Sequence, residues 1–392
     1  MILLTTLFDR EDEEELLSLS KKGLPNAPNT FQWALIDGIV ENVKTPISVF
    51  NILPVGVFPK RFKKVVLKDR SWDYKNCHFE DLGAPNIHFL KQFTRYRKLK
   101  KKLKSVHDET VLMYSTYEPY LHAIQSLDSS VHVSIIVTDL PQFGDFHDKG
   151  SLWNLLRNMN NKRIYKYLDR VDSFVLITEA MKEPLNVGER PYVIVEGIAN
   201  PTNIVDPKPA QKKVIMYAGG LHVKFGLDKL CEAFSLIESD DYELWLCGKG
   251  DYVEEIKSLA STDKRIRFFG YVGKQQILEM QSEASILINP RCDEEEFTKY
   301  SFPSKTMEYM LSGVPVLMYK LSGVPHEYDQ YLNYFEGDSP ESMAESIVSL
   351  CEDSRDEAVL KAGRAKEFVL NHKNSASQAK RIMSMLKEAS GN

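Results

Sequence analysis

Hydrophobic and polar positions alternate in two different periods along the chain. Short apolar runs are separated by longer stretches in which apolar residues recur three and four positions apart. Such runs predict buried strands, and the helical spacing predicts crossover helices. In the first half the predicted strands cover residues 2–8, 47–50, 64–67, 110–114, 131–137 and 173–178. The alternation restarts with predicted strands at 213–218, 243–247, 266–269, 286–289, 315–319 and 334–335. The fold class is therefore α/β, with two Rossmann-like domains built on parallel sheets.

A polar segment with three prolines separates the two halves at residues 199–210. Proline and polar residues in such density predict a linker. A length of 392 residues also favours two domains over one. We predict a first domain over 1–198, the linker over 199–210 and a second domain over 211–374. The last helical stretch, 375–392, has no strand after it and is expected to return to the first domain.

Composition narrows the functional class. The chain is 43% hydrophobic and 27% charged, and its formal net charge of −5 argues against a general nucleic-acid-binding protein. The five cysteines show no metal-ligand spacing, so we expect no zinc site and a reducing cytoplasmic location. No apolar run approaches the ~20 residues that span a bilayer. The apolar run at 1–8 lacks the features of a signal peptide and is predicted to be a buried strand.

The segment 91–104 is strongly basic. Phe93, Tyr96, Leu99 and Leu103 follow one another at spacings of three and four, which gives an apolar stripe along an otherwise cationic helix. One interpretation is a surface helix with solvated lysines. The other is a peripheral contact with an anionic membrane, at its inner face, close to a lipid-linked acceptor.

Glycine-rich turns follow three predicted strands of the second half. Gly219 and Gly220 end the first of these strands, and Gly248 ends the second. Glycine lets backbone N–H groups approach a ligand closely, and a following helix directs its positive end there. Tyr271 and Val272 lie in the third turn, where they could border a flat base. Each turn alone is equally compatible with ordinary strand-to-helix packing.

The stretch 288–317 carries the most specific pattern. Pro303 suits the start of a helix and Gly313 its end, so a short helix is predicted over 304–311. The hydroxyls of Ser301 and Ser304 and the ammonium of Lys305 would meet at its N-terminus, where an anion is stabilised. Glu308 lies four residues after Ser304 on the same face and could accept hydrogen bonds from the vicinal diol of a ribose. The alternative is a capped helix with a solvated glutamate.

These residues give the segment 214–317 a resemblance to the retaining glycosyltransferases of family 4, which have the GT-B fold. The matching positions are Phe302-Pro303, Glu308 and the run Gly313-Val-Pro-Val316. The Tyr-Ser-Phe-Pro-Ser-Lys sequence from residue 300 resembles members of bacterial surface-polysaccharide assembly. The resemblance implies two domains facing each other across a cleft and a nucleotide diphosphate sugar as co-substrate. It also implies a hydroxyl acceptor, either a glycan or a lipid-linked sugar, and transfer with retention, without a metal or another cofactor.

The chain departs from the family pattern at the donor site. Tyr300 occupies the position of the family's first glutamate, and Glu295 or Glu296 could replace that carboxylate. The family's arginine and lysine positions hold Gly220 and Phe225, so Lys224 and Lys305 are the candidates that restore positive charge. Together with Asp139 of the first domain, these two lysines form the predicted catalytic set. The predicted substrate-binding residues are Gly219, Gly220, Gly248, Tyr271, Val272, Arg291, Tyr300, Ser301, Ser304, Glu308 and Asn29.

In the first domain the resemblance implies acceptor recognition by a loop after the first strand. Asn29 or Thr30 is predicted to cap a helix that starts at Phe31, and Asp139 follows the predicted strand 131–137. Both aspartate and asparagine are also ordinary turn and cap residues. Two other functions remain open: a nucleotide-sugar epimerase of the same fold, and a non-catalytic nucleotide-sugar-binding partner in an assembly complex. A dehydrogenase is disfavoured because no Gly-x-Gly-x-x-Gly follows the first strand.

Overall fold

The computed structural model describes residues 1–143, 151–199, 201, 204–293 and 296–391. Contacts divide the chain into two compact units. The first consists of Met1–Ile198 together with Ser375–Asn392, and the second of Ala199–Asn374. Each unit is an α/β structure with one large, mainly parallel sheet.

The first unit is built on an eight-stranded sheet and a separate two-stranded sheet. Its strands are β1 (Ile2–Thr5), β2 (Ile47–Asn51), β3 (Val66–Leu67), β4 (Arg70–Tyr74), β5 (Cys77–Asp81), β6 (Ala84–Pro85), β7 (Thr110–Tyr114), β8 (His132–Val137), β9 (Ser173–Leu176) and β10 (Tyr192–Ile194). Its helices are α1 (Glu13–Leu19), α2 (Asn26–Asn42), α3 (His88–Leu103), α4 (Glu118–Ile124), α5 (Ser151–Tyr167) and, from the end of the chain, α12 (Ser375–Ser390). The large sheet has the order β10-β9-β8-β7-β1-β2-β5-β4, and β4 is its antiparallel edge strand.

The core of the first unit lies around β1. All four residues of this strand are buried, because β2 and β7 flank it in parallel and helices cover it. Trp33, Ile36 and Ile39 of α2 join this core, together with Ile382 and Leu386 of α12. The C-terminal helix thus packs back on the first unit, as expected. The near-continuous apolar character of the central strands follows from burial on both faces of the sheet.

Three details of the first half differ from the sequence prediction. The predicted strand 64–67 does not join the large sheet, since β3 pairs with β6 in an antiparallel ribbon. Strands β4, β5, β6 and β10 were not predicted. The helix expected from Phe31 begins five residues earlier, at Asn26, so Asn29 lies within its first turn and does not cap it. Pro28 is tolerated there because the first turn of a helix needs no N–H from that position.

The second unit is a six-stranded parallel sheet in which α-helices connect the strands as far as β15, and a 3-10 helix, His326–Tyr328, precedes β16. Its strands are β11 (Lys213–Gly220), β12 (Tyr242–Lys249), β13 (Ile266–Gly270), β14 (Ile286–Asn289), β15 (Val316–Met318) and β16 (Asn333–Tyr334). Its helices are α6 (Leu227–Ser235), α7 (Val253–Thr262), α8 (Lys274–Glu283), α9 (Ser304–Ser312), α10 (Pro340–Cys351) and α11 (Arg355–His372). The order is β13-β12-β11-β14-β15-β16, in which the direction of winding reverses between β11 and β14. This is the strand order of a dinucleotide-binding Rossmann sheet.

The basic segment 91–104 forms α3 after its first three residues and continues to Lys104, and only part of its predicted stripe faces outwards. Leu99 and Leu103 are buried, and so are the cationic residues Lys91 and Arg95, whereas Phe93 is exposed. Hence the helix packs on the unit through a mixed face of apolar and cationic side chains. Within the described residues, no helix combines the length and the apolarity that a membrane crossing requires.

Candidate functional site

The carboxyl end of β11 is the point from which the site of the second unit is built. In open parallel sheets, ligands bind outside the carboxyl ends of the strands where the winding reverses. Here that point lies between β11 and β14, so Gly219 and Gly220 border it on one side and the residues after Asn289 on the other. Tyr217 supports the turn, because its hydroxyl donates to the Gly220 carbonyl at 3.0 Å.

Helix α9 is fixed at both ends and anchored to β11. It runs from Ser304 to Ser312, close to the predicted 304–311, with Pro303 before it and Gly313 after it. Gly313 has a φ of 75°, a left-handed conformation that favours glycine. The fully buried Tyr309 accepts a hydrogen bond from the Ala218 backbone N–H at 3.1 Å. This contact ties the helix to the strand that ends in the glycine turn.

Lys305 lies directly against the glycine turn. A Cβ atom on Gly219 would stand 2.4 Å from Lys305 Cε and 2.9 Å from Nζ, so any side chain at 219 would displace the ammonium. Burial lowers the pKa of Lys305, and the neighbouring Glu308 partly offsets that effect. A half-buried ammonium of this kind gains charge–charge stabilisation when an anion enters. The structure thus brings Gly219 and Lys305 together.

Glu308 is exposed one turn further along α9, as is Ser304 in the first turn. A hydrogen bond from the protein interior orients the carboxylate, because Glu308 Oε1 accepts from Gln281 Nε2 at 2.7 Å. Gln281 belongs to α8 and is fully buried. The second carboxylate oxygen is therefore oriented by a rigid neighbour. Nothing in the sequence pattern pointed to Gln281, since it is a single polar residue on the inner side of a helix.

Arg291, Ser301 and Phe225 form a second group at the same end of the sheet. Arg291 Nη2 donates to Ser301 Oγ at 3.2 Å, and its guanidinium stacks over Phe297 at 4.4 Å from the ring centroid. The same guanidinium is 5.9 Å from the ring of Phe225. Since a Cβ on Gly220 would lie 3.1 Å from Phe225 Cε2, this group is continuous with the glycine turn. Lys224 is exposed, with its Nζ 5.3 Å from the Phe225 ring centroid.

The two further turns adjoin this edge of the sheet. Gly248, the residue before the last of β12, has a φ of 143°, and a Cβ there would stand 1.7 Å from the Gly219 carbonyl oxygen. Close approach of β11 and β12 therefore requires glycine. Tyr271 is strongly exposed after β13, with Lys249 Nζ 4.8 Å from its ring centroid, and Val272 beside it is half-buried. An exposed aromatic ring at this edge could stack on a flat base.

Tyr300 ends a short 3-10 helix, Glu296–Tyr300, just before α9. The ring is half-buried, and Lys299 Nζ is 4.8 Å from its centroid. Of the two glutamates considered as replacements for the missing carboxylate, Glu296 begins this short helix and Glu295 lies outside the described residues. The carbonyl of Ser301 packs against Gly323, where a Cβ would stand 2.2 Å from it. The approach to α9 is thus fixed by backbone contacts.

His222 is a second residue that sequence reasoning missed. It follows the glycine turn, and a Cβ on Gly220 would lie 3.0 Å from its Cδ2. Its Nδ1 is 3.1 Å from Asp251 Oδ2, and this contact lowers the pKa of the aspartate, chiefly through the hydrogen bond. The signal was available in the sequence, because His222 lies two residues after Gly220, next to the position where the family's charge is missing.

The two site residues predicted in the first unit differ in their surroundings. Asn29 is buried, and its Oδ1 accepts a hydrogen bond from the Phe8 backbone N–H at 2.9 Å. It therefore fixes the chain after β1. Asp139 is exposed at the carboxyl end of β8 and accepts a hydrogen bond from Thr138 Oγ1 at 3.3 Å. The protein packed around its carboxyl raises its pKa, an effect that the Thr138 hydrogen bond partly opposes.

The described ranges contain no group of three or more His, Cys, Asp or Glu side chains placed to hold a metal ion. All five cysteines are free.

Part of the second unit is similar to a known sequence family. Residues 212–353 match the sequence family described as Glycosyl transferases group 1, which covers the glycine turns and α9. No curated protein sequence matches the chain.

Solved structures match over nearly the full length. Sucrose-phosphate synthase from Thermosynechococcus elongatus superposes with a TM-score of 0.65 at 13% identity, covering 99% of each chain. Anabaena HepE in complex with UDP gives 0.65 at 13% identity, covering 99% of this chain and 100% of the other. The α,α-trehalose 6-phosphate synthase from Burkholderia multivorans gives 0.64 at 10% identity, with 100% and 99% covered. At these identities the likeness shows the fold, which is the two-domain α/β fold of GT-B glycosyltransferases.

Proposed function

We propose that the protein is a glycosyltransferase that moves a sugar from a nucleotide diphosphate sugar to a hydroxyl acceptor. The observation that carries this proposal is the arrangement at the carboxyl end of β11. A half-buried lysine lies against a glycine turn, and a carboxylate stands one helical turn away on the same helix, α9. A diphosphate needs positive charge and close backbone approach, and a ribose needs an acceptor for its two hydroxyls. The family match over 212–353 supports the same conclusion.

The roles follow from the charges. Lys305 and the first N–H groups of α9 would bind the diphosphate, together with Gly219 and Gly220. Glu308 would bind the ribose, and Tyr271 and Val272 would border the base. Lys224, Arg291 and Ser301 lie in the adjoining group and would contact the phosphates or the donor sugar. UDP is the first nucleotide to test, because HepE, one of the similar structures, binds it.

We further propose transfer with retention of configuration and without a metal. In this scheme the bond between the sugar's anomeric carbon and the diphosphate oxygen breaks, and the acceptor oxygen bonds to the same face of that carbon. The acceptor proton passes to the departing diphosphate oxygen, so no protein nucleophile is needed. Preorganised positive charge at Lys305 and at α9 stabilises the developing negative charge. Asp139, with its raised pKa, is the proposed contact of the reacting sugar in the first unit.

The acceptor belongs to the proposal as well. It would be a glycan or a lipid-linked sugar, the latter reached by a protein at the inner face of a membrane through the basic segment 91–104. Such an assignment is consistent with the exposed cationic residues in the second half of α3.

The test is donor binding by the full chain, measured as a thermal shift against a panel of nucleotide diphosphate sugars and free UDP. A ligand of the native state raises the melting temperature by mass action. We expect Glu308→Ala to weaken nucleotide affinity roughly tenfold or more, the effect of losing hydrogen bonds to a charged group. Glu345→Ala, at an exposed glutamate of α10 in the same unit, is the control and should bind normally.

Turnover separates an enzyme from a non-catalytic binding partner. Slow release of free sugar from the donor, without acceptor, would support the enzyme. Unchanged nucleotide affinity in Glu308→Ala would remove the ribose assignment, and binding without any turnover would favour the partner.

A further inference from the structure

Six large apolar side chains of the first unit are exposed in one place. The exposed fractions are 80% for Phe89, 55% for Phe93, 51% for Ile87, 47% for Leu90, 56% for Val66 and 43% for Val65. Other exposed large apolar residues in the described ranges include Leu236 and Leu360, which lie in the second unit. Single exposed apolar residues are normal, but a contiguous group marks an interaction surface.

Backbone pairing brings together the two segments that carry these six residues. Strand β3, which contains Val66, pairs with β6, which ends two residues before Ile87. The Asn86 N–H donates to the Val65 carbonyl at 2.6 Å, and Asn86 Nδ2 donates to the Lys64 carbonyl at 3.0 Å. Helix α3 starts directly afterwards at His88. We call the group formed by Val65, Val66, Ile87, Phe89, Leu90 and Phe93 the apolar patch.

The first turns of α3 are held rigidly under the patch. Lys91 Nζ donates to the Val55 carbonyl at 2.6 Å, and Arg95 Nη2 donates to the Leu53 carbonyl at 2.9 Å. Both side chains are buried, with Leu99 four residues further on the same face. Because 91, 95 and 99 face inwards at intervals of four, Phe89 and Phe93 project from another face of a fixed helix. The patch is therefore a preformed feature of the fold.

The surroundings of the patch are cationic. Helix α3 contains seven Lys and Arg residues and no Asp or Glu. Arg97 continues the line of Phe89 and Phe93, with its guanidinium 5.6 Å from the Phe93 ring centroid. Lys100, Lys101 and Lys104 follow on the exposed end of the helix. On the other side, Lys60, Arg61, Lys63, Lys64 and Lys68 surround β3. Three of the lysines form ion pairs: Lys64 with Glu15, Lys98 with Asp69 and Lys102 with Glu80.

The position of the patch relates it to substrate entry. Leu53 and Val55 follow the carboxyl end of β2, and Tyr117, whose hydroxyl accepts from Arg95 Nη1 at 3.0 Å, follows that of β7. The start of α3 thus lies at the carboxyl edge of the first unit's sheet. Open α/β sheets take their ligands at this edge. A partner surface that binds the patch would therefore place its molecules beside the edge of the first unit where the acceptor is expected.

We propose that the apolar patch inserts into the interfacial layer of an anionic lipid bilayer, and that the acceptor is a hydroxyl on a lipid-anchored glycan. Apolar side chains that enter the acyl boundary beside lysines that contact anionic headgroups are the two components of interfacial binding. A protein partner fits less well, because lysine is depleted from the cores of protein interfaces. The lipid-anchored acceptor rests on the proposed transferase function, whereas the bilayer contact does not.

The experiment uses the full chain and sedimentation with vesicles of phosphatidylcholine, alone or mixed with phosphatidylglycerol. We expect binding to the mixed vesicles that decreases with salt, and a partition coefficient about tenfold lower or more for the double variant Phe89→Ser/Phe93→Ser. Leu360→Ser is the matched control: this leucine of α11 is 69% exposed, lies in the second unit and should leave binding unchanged.

Two outcomes overturn the proposal. One is equal sedimentation of the double variant and the wild type with anionic vesicles. The other is lipid-independent self-association that the double variant abolishes, without vesicle binding, which would assign the patch to a second copy of the chain.

Nucleotide thermal shifts on the same variants separate this proposal from the proposed function. An intact UDP shift with no vesicle binding would refute the bilayer contact alone, and vesicle binding without a response to any nucleotide would refute the transferase alone. If the wild type shows both the UDP shift and vesicle binding, transfer to a vesicle-borne acceptor should fall in the double variant while donor hydrolysis persists. Equal transfer by the double variant and the wild type would refute the proposal that the acceptor is lipid-anchored.

Discussion

At the scale of single residues, the contact between Gln281 and Glu308 shows how a buried side chain can control an exposed one. Gln281 Nε2 donates to Glu308 Oε1 at 2.7 Å, while Gln281 Oε1 has no hydrogen-bond partner among the described residues. A fully buried amide with one unused acceptor is costly, and its retention is explained if it positions the carboxylate. Glu308 would then meet a ribose in a single orientation.

We therefore predict that Gln281→Leu weakens UDP affinity about threefold to tenfold, because the carboxylate loses its orienting bond. Titration calorimetry on the folded variant measures the effect. Gln275→Leu changes an exposed glutamine of the same helix and should bind like the wild type. In a Glu308→Ala background, Gln281→Leu should have no further effect on affinity. A full additional loss there would show that Gln281 acts on the fold and not through Glu308.

Lys91 gives a prediction about pH. Burial lowers its pKa from 10.5 to about 7, with Arg95 adding to the effect. Between pH 7 and 10.5 the unfolded chain holds the proton that the folded chain has released, so stability rises with pH in that window. Below pH 7 both the folded and the unfolded chain hold the proton, so the full free-energy cost of burying the charged ammonium is present. Between pH 6 and pH 9, Lys91 should therefore raise the free energy of unfolding by about 2–3 kcal/mol.

Urea unfolding at pH 6 and pH 9 tests this contribution. The free energy of unfolding of the wild type minus that of Lys91→Met should increase between the two values. Lys101→Met, at an exposed lysine of the same helix, should give no such change. A difference between wild type and Lys91→Met that stays constant with pH would mean that Lys91 keeps an ordinary pKa.

Sequence reasoning at this scale found residues whose role is local and missed those whose role depends on packing. Pro303, Lys305 and Glu308 could be related because they share one short helix. Gln281 acquires its role from a hydrogen bond to Glu308 on another helix, which a single sequence does not encode by spacing. Asn29 was recognised as a polar residue near a helix start, but its bond to the Phe8 N–H depends on how α2 lies against the chain after β1.

At the scale of elements, the junction of β11 and β12 depends on a single glycine. Gly248 has a φ of 143°, and a Cβ would stand 1.7 Å from the Gly219 carbonyl oxygen. Gly248→Ala should therefore separate the two strand ends and lower stability by about 2–4 kcal/mol. It should also weaken nucleotide binding, since the glycine turn moves with the strand.

The control is Gly273→Ala. A Cβ there meets no atom within 4 Å, and the residue has an ordinary φ of −67°. Thermal melting with and without UDP compares the two variants. If Gly248→Ala melts and binds like Gly273→Ala, the close approach of the strands is not required.

Most elements of the second unit could be predicted, because its strands are apolar runs separated by glycine turns. Prediction failed mainly in the segment 64–86. Strand β4 is an antiparallel edge strand with five exposed or half-buried residues, so it shows no apolar run. Strands β3 and β6 have two residues each, too few for any periodicity. The apolar patch was missed for a related reason, since its residues come from two elements whose pairing only the structure shows.

At the scale of the whole molecule, the C-terminal helix completes the core of the first unit. Ala379, Ile382, Met385 and Leu386 of α12 are buried among residues of α2 and the sheet. A Cβ on Gly38 would lie 2.0 Å from the Ser375 carbonyl oxygen and 2.8 Å from Ala379 Cβ. The backbones of α2 and α12 therefore approach as closely as glycine permits. The chain thus contributes its last helix to the unit that holds its first strand.

A chain that ends at Asn374 should consequently lose much of the stability of the first unit. Removing three large buried side chains costs on the order of 5 kcal/mol, which is comparable to the whole stability of many domains. A chain that ends at Lys387 keeps Ala379, Ile382, Met385 and Leu386 and serves as the control. Limited proteolysis should cut the first unit of the shorter chain much faster, whereas the UDP thermal shift of the second unit, Ala199–Asn374, should persist. Equal protease resistance of the two chains would show that α12 is dispensable for the first unit.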